Sequence, residues 1–254
     1  MGTSDAFGGS NTPDWSSAKD NYVDALSMPG AVTYARASAL ARSLGSALGR
    51  GNRKSTNLPL GDLLAGHRAT GASSAAGHGR SQSGGSSFSR QAARGGATIA
   101  AFDAWRRGDS EAARDLGVDL SMLTGLSNRH LCVHLVDIVL GPPAHPEDVA
   151  LRKTLITLLR RAMNEQPQPS VAELLSRLVE SLAWELSAVQ IASDLRTNQI
   201  SETKARTMEK KVKRFIGGSV RKWSKTLTDH SSQFIVNYAS RLAARACKAL
   251  GDGR

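Results

Sequence analysis

Residues 130–134 read His-Leu-Cys-Val-His, and Asp137 follows three positions later. On a helix, His130, His134 and Asp137 fall at i, i+4 and i+7 and share one face. Two imidazoles and a carboxylate so placed could hold a metal ion. A zinc protease would also need a glutamate between the histidines as general base, and none is there. Cys132 points away from that face. The histidines therefore read as ordinary core or surface residues, and no metal is expected. Ser, His and Asp are plentiful, but no GxSxG elbow raises a serine nucleophile. A P-loop GxxxxGK[ST] and a GxGxxG between strand and helix are also missing. No catalytic residue is assigned, no cofactor is expected, and the chain is not expected to be an enzyme.

A second constellation is electrostatic. The stretch TKARTMEKKVKRFIGGSVRKWSK carries nine Lys or Arg, balanced only by Glu209 within it and Glu202 just before it. Lys210, Lys211, Lys213, Arg214, Arg221 and Lys222 could form a surface for nucleic acid or for an acidic partner, with salt-sensitive affinity in the first case. The plainer reading is a solvated helix face with a basic bias. No helix-turn-helix spacing and no set of stacking aromatics accompanies this stretch, so sequence-specific reading of bases is not supported.

Composition bounds what must carry these residues. The chain has 254 residues, room for one good-sized domain with extensions. Hydrophobic residues are 40% but aromatics only 5%, so the core is aliphatic, which suits packed helices better than a β-sandwich. The net charge of +11 is unevenly distributed: −3 over 1–33, +8 over 34–95, −3 over 96–200 and +9 over 201–254. Cys132 and Cys247 are the only cysteines, which excludes a disulfide framework and suits a reducing cytosol. No basic residue precedes an apolar run at the start, so no secretory leader is expected. No apolar stretch approaches the ~20 residues needed to span a bilayer. Ala6 stands where N-myristoylation wants Ser or Thr. A soluble, cytoplasmic protein without membrane contact is the expectation.

The elements follow from period and punctuation. Residues 1–30 hold Gly2, Gly8, Gly9, Pro13, Pro29 and Gly30, and read as a flexible tail with at most a short helix near Ser16–Leu26. Residues 31–65 read as a loosely structured basic arm, helical over AVTYARASALARSLGSALG, where Val32, Ala35, Ala39, Arg42 and Ala47 make only a weak amphipathic face. LPLGDLLAG adds a turn or two. Residues 66–90 are almost all Gly, Ser, Ala and basic groups, a flexible linker by composition. From 91 to 254 helix follows helix. Gly95–Gly96 predicts a close packing or kink. Asp109 caps one helix, which Gly117 stops. Ser127 or Asn128 caps the next, which Gly141, Pro142 and Pro143 end. Pro146 opens another, with Glu147 and Asp148 at its positive end. Ser170 and Glu173 form a capping box before a seam of Val171, Leu174, Leu178, Leu182, Leu186 and Val189. Ser201 opens a helix with Met208, Val212, Phe215, Ser219 and Trp223 on one side. Thr228 or Asp229 starts the last, with Phe234, Tyr238, Leu242 and Ala246. No period-two alternation competes. The fold class is all-α.

The opening MGTSDAFGGSNTPDW, with its Gly-Gly pair and then Pro and Trp, resembles the start of the QatB proteins. These are encoded in anti-phage defence operons beside an ATPase, a QueC-like enzyme and a TatD-like nuclease. The likeness continues in LTGLSNRHLCVHLVDIVLGPPAHPEDVALRKTL. There a helix bearing Asp137 ends at Pro142–Pro143, and the next opens with Glu147 or Asp148 and then Arg152. The final helices resemble the family's end, so the likeness covers the first fifteen residues and most of 120–250. Ala144–His145 departs from the family's Gly-Gly after the Pro pair, and the Ser-rich middle arm departs as well.

The resemblance implies a non-catalytic adaptor subunit that binds the ATPase and the QueC-like enzyme of the same operon, with the TatD-like nuclease a further partner. It also implies that Gly2, exposed by removal of Met1, accepts a deazapurine group. Thr3, Ser4, Gly8, Gly9 and Trp15 would seat the tail in the partner, and Asp137–Arg152 would be a structural ion pair. Elementary chemistry is compatible with this. A terminal amine has a pKa of about 8, leaving a sizeable neutral fraction, and ten extended residues reach roughly 33 Å. The rival reading is a helical nucleic-acid-binding protein using the basic regions 34–95 and 201–254.

Overall fold

In the computed structural model, residues 13–27, 33–49, 59, 60, 63, 88–195, 202–221, 227 and 229–251 are described. Every element among them is helical: α1 (Pro13–Ser27), α2 (Tyr34–Gly49), α3 (Phe88–Arg107), α4 (Ser110–Asp115), a 3-10 turn (Leu120–Leu123), α5 (Asn128–Leu140), α6 (Pro146–Asn164), α7 (Val171–Leu195), α8 (Glu202–Arg221) and α9 (Ser232–Gly251).

The centre is α3. Its residues from Phe88 to Ala104 are buried on every side but for Arg90. Such a helix must be small all round, and QAARGGATIAA supplies that. A Cβ on Gly96 would come within 2.8 Å of the Ala239 Cβ and 3.3 Å of the Val236 Cα on α9. On the other side, a Cβ on Gly95 would meet Leu178 of α7 at 2.6 Å and Leu151 of α6 at 3.3 Å. The glycine pair is thus a close crossing: α9 lies on one face of α3, while α6 and α7 cover another. α3 begins at Phe88, inside the stretch read as linker; residues 66–87 lie outside the described residues.

The first two helices join the same core. Ala18, Tyr22 and Leu26 of α1 are 0%, 3% and 3% exposed. In α2 the buried face is Ala37, Leu40, Ala41, Leu44 and Leu48, packed against α9, α1 and α8. The face read from sequence was mis-phased: Ala35, Ala39 and Arg42 are turned outward or to the rim. Leu63 is buried, and the Leu60 N–H donates to the Gln233 Oε1 of α9 at 2.9 Å. The short helix anticipated near Ser16–Leu26 is therefore longer, and the helix of the 31–65 segment is docked on the body.

Local punctuation behaves as its chemistry dictates. Asp109 accepts the Ala112 N–H at 3.0 Å. Gly117, at φ 78°, closes α4 with Val118 N–H to Ala113 O (2.9 Å) and Gly117 N–H to Arg114 O (2.9 Å), a Schellman stop. Ser170 and Glu173 exchange their bonds as a capping box, Ser170 N–H to Glu173 Oε2 at 2.8 Å and Glu173 N–H to Ser170 Oγ at 3.3 Å. The last helix starts later than expected. The Asp229 carboxylate accepts the Ser231 N–H at 2.8 Å, holding residues 229–231 in a turn, so Ser231 O accepts the first helical bond, from Ile235.

Candidate partner-binding surfaces

The α5–α6 pair carries His130, His134, Asp137, Asp148 and Arg152. Ser127 caps α5 and also lies 3.2 Å from the His130 Nδ1 through its Oγ. His130 is exposed and His134 half-buried one turn on, while Asp137 is bound to Arg152 across the helix pair. Arg152 also donates to the Gly141 carbonyl, closing the turn. Among the described residues, no three His, Cys, Asp or Glu side chains converge as a metal site. The i, i+4, i+7 set is on one face, but its carboxylate serves the clasp.

Beneath that clasp is a buried pair. Asp148, 4% exposed, binds Arg94 of α3 and accepts the backbone N–H groups of Ala144 and His145, each at 3.1 Å. Gln91 Nε2 approaches it at 3.4 Å, and Arg94 reaches the Leu140 carbonyl at 3.4 Å. Burial alone would raise the Asp148 carboxyl pKa. The Arg94 bond and charge outweigh it, and the carboxyl titrates below its ordinary value. Of the two acids read at the opening of α6, Asp148 is the one turned inward. Arg152 titrates below the usual guanidinium range because of its burial and then the charge of Arg94.

Among the described residues, the cations of the basic stretch do not share one face. Met208, Val212, Ile216 and Val220 are buried and Phe215 partly so, which sets the phase of α8. At 100° per residue the cations then diverge. Lys210 and Arg214 are exposed, sharing the outer face with Arg206. Lys211 is half-buried on another side, and Lys213 pairs with Glu209 at 2.7 Å. Lys213 also reaches a cleft of about 600 Å³ among α6, α7 and α8, with Lys153, Arg161, Arg177, Glu173, Glu180 and Glu185 in its walls. Its charges are largely neutralised locally. Lys153 meets Glu185 at 3.2 Å, and Arg177 and Arg161 hold Glu165 at 2.5 and 2.6 Å, keeping that carboxyl below its usual range. Gly217 lets the Glu180 carboxylate come against the α8 backbone.

Gly2, Thr3, Ser4, Gly8, Gly9 and Lys222 lie outside the described residues; Trp15 and Arg221 are placed in helices, but their side chains are not described. Tyr22 stands near Glu209: burial, then that charge, raises its phenol above the ordinary value.

A surface the sequence reading passed over is on α9. Ile235, Val236, Ala239, Leu242, Ala243, Ala246 and Cys247 form its buried side. Phe234 and Tyr238 are only half-buried and stack on each other, centroids 6.3 Å apart at 27°, with Tyr238 also packed against the core. The Arg241 guanidinium lies 5.9 Å from the Phe234 centroid. The signal was the spacing 234, 238, 241, 245, 248, one helical face of two aromatics and three cations.

No protein family, curated protein or solved structure matches the chain. No helix among the described residues is long and apolar enough to cross a membrane.

Proposed function

We propose that this chain is a QatB-like, non-catalytic adaptor subunit of a bacterial anti-phage defence complex. Its helical body binds an ATPase and a QueC-like enzyme, and its Gly2 amine accepts a deazapurine-type group. The observation that carries the reading is the docking of α1 on the helical body. Ala18, Tyr22 and Leu26 lock α1 into the core, so the body has a rigid attachment point just behind the opening motif. From Gly2 to Thr12 an extended chain covers roughly 36 Å, enough to enter a neighbour's pocket while the body stays outside it. Lys210 and Arg214, exposed on α8, give the body a cationic face for an acidic partner surface.

The test is intact mass of the full chain co-produced with the QueC-like enzyme. The mass is expected to exceed that of the chain lacking Met1, and Gly2→Pro is expected to remove the excess without altering the circular dichroism. An unshifted mass in the presence of the active enzyme refutes the acceptor role.

A further inference from the structure

We infer that the outward stripe of α9 binds single-stranded nucleic acid, a role independent of the adaptor reading. Phe234, Tyr238, Arg241, Arg245 and Lys248 fall within about 80° of one another around the helix. The three cations are exposed and the two rings half-buried. No acidic residue occurs between Ser232 and Gly251. From Phe234 to Lys248 the stripe runs about 21 Å, long enough for several nucleotides of an extended strand. The opposite side of the helix is held against α3 at the Gly96 crossing, so the stripe is presented by a rigid element.

The chemistry selects the occupant. Cations alone would suit any polyanion, but the stacked pair and its neighbouring guanidinium add π-faces at one end. Unpaired bases stack on such faces irrespective of sequence while their phosphates meet the cations. A duplex keeps its base faces inside its own stack and would meet the cations alone. An anionic membrane would want a continuous apolar face to insert, and this stripe has two rings, both half-covered.

The experiment is fluorescence anisotropy of a labelled oligothymidylate with the full chain. Neutralising three phosphates of a single strand gives a log–log salt slope of about −2, roughly a 20-fold loss between 50 and 200 mM salt. Arg241→Glu/Arg245→Glu/Lys248→Glu is expected to abolish binding. The equal charge change Arg206→Glu/Lys210→Glu/Arg214→Glu on α8 is expected to weaken it far less. Tyr238→Leu keeps apolar packing but removes a stacking face, and is expected to weaken binding about tenfold at fixed salt with the slope unchanged. Several outcomes overturn the proposal: no binding at low salt, equal losses from the α8 and α9 reversals, an unaffected Tyr238→Leu variant, or tighter binding to duplex or to phosphatidylserine vesicles.

Discussion

The Arg94–Asp148 pair should behave as a buried ion pair whose halves cannot be removed separately. Both side chains are under a tenth exposed, and the pair ties the α5–α6 turn to the central helix. Asp148→Asn leaves the guanidinium buried against a neutral amide, and breaking such a pair costs about 3–5 kcal/mol. For a chain of this size that is a fall in Tm of about 6–20 °C. Arg94→Met should cost somewhat less, because Asp148 would keep the N–H groups of Ala144 and His145. The double variant Arg94→Met/Asp148→Leu removes both charges for apolar groups of similar size. Residues 144 and 145 are exposed, so water can satisfy their freed N–H groups. That variant should lose far less than the sum of the singles, with a coupling of about 2 kcal/mol or more. Urea unfolding of the four proteins at pH 7 measures it. The pH dependence supplies an independent check. The Asp148 carboxyl titrates lower in the folded chain than in the unfolded one, so its stabilisation is present above the ordinary carboxyl range near ~4 and is lost as pH falls through the lower folded value. The gap between wild type and Asp148→Asn should therefore narrow in acid. A single-variant loss under about 1 kcal/mol, or additive singles, would refute the reasoning.

Three further outcomes are expected. Gly96→Ala should destabilise by about 1–3 kcal/mol, since its new methyl meets an α9 Cβ and backbone that cannot swing aside, whereas exposed Gly218→Ala, with nothing within 4 Å, should stabilise by up to about 1 kcal/mol in thermal melts. Ser170→Ala should cost about 1 kcal/mol by urea unfolding through loss of the capping box that opens α7. Cys132 should resist a thiol-disulfide reagent at pH 8 until the chain unfolds, because burial pushes its thiol up to about 11; rapid labelling of the folded protein would contradict its packing against Met163.

Caps and stops were legible because their chemistry is local: Asp109, Gly117, Ser127, Pro146 and Ser170 each act within four residues. Helix phase was harder wherever alanine dominates. In α2, Ala35 and Ala39 look as apolar as Ala37 and Ala41, and only the approach of α9 and α1 decides which pair is buried. In α9 the large side chains do not set the tightest contact. Close packing on α3 wants Ala239 and Ala243, leaving Phe234 and Tyr238 toward the rim. The basic run looked like one surface because nearness in sequence ignores the 100° turn per residue, which sends Lys213 to the cleft and Lys210 outward. α9 starts at Ser232, three or four residues after the expected Thr228 or Asp229, because the Asp229 carboxylate accepts the Ser231 N–H and competes with the helix.

The mid-chain residues on which the proposed QatB resemblance rests acquire a physical role from this arrangement. Asp137 and Arg152 clasp α5 to α6, the Pro142–Pro143 turn is closed by the bond from Arg152 to Gly141, and Asp148 anchors the start of α6 to α3. Each is engaged within the helical body, so this segment helps build it. The recognition surfaces proposed above are elsewhere, on the exposed cations of α8 and the stripe of α9. Asp137→Asn should accordingly loosen the turn and lower stability while leaving partner binding by the folded fraction intact. Charge reversal on α8 or α9 should do the opposite, sparing stability and removing binding. A single substitution in the clasp that abolished partner binding without lowering the Tm would place recognition in the turn itself.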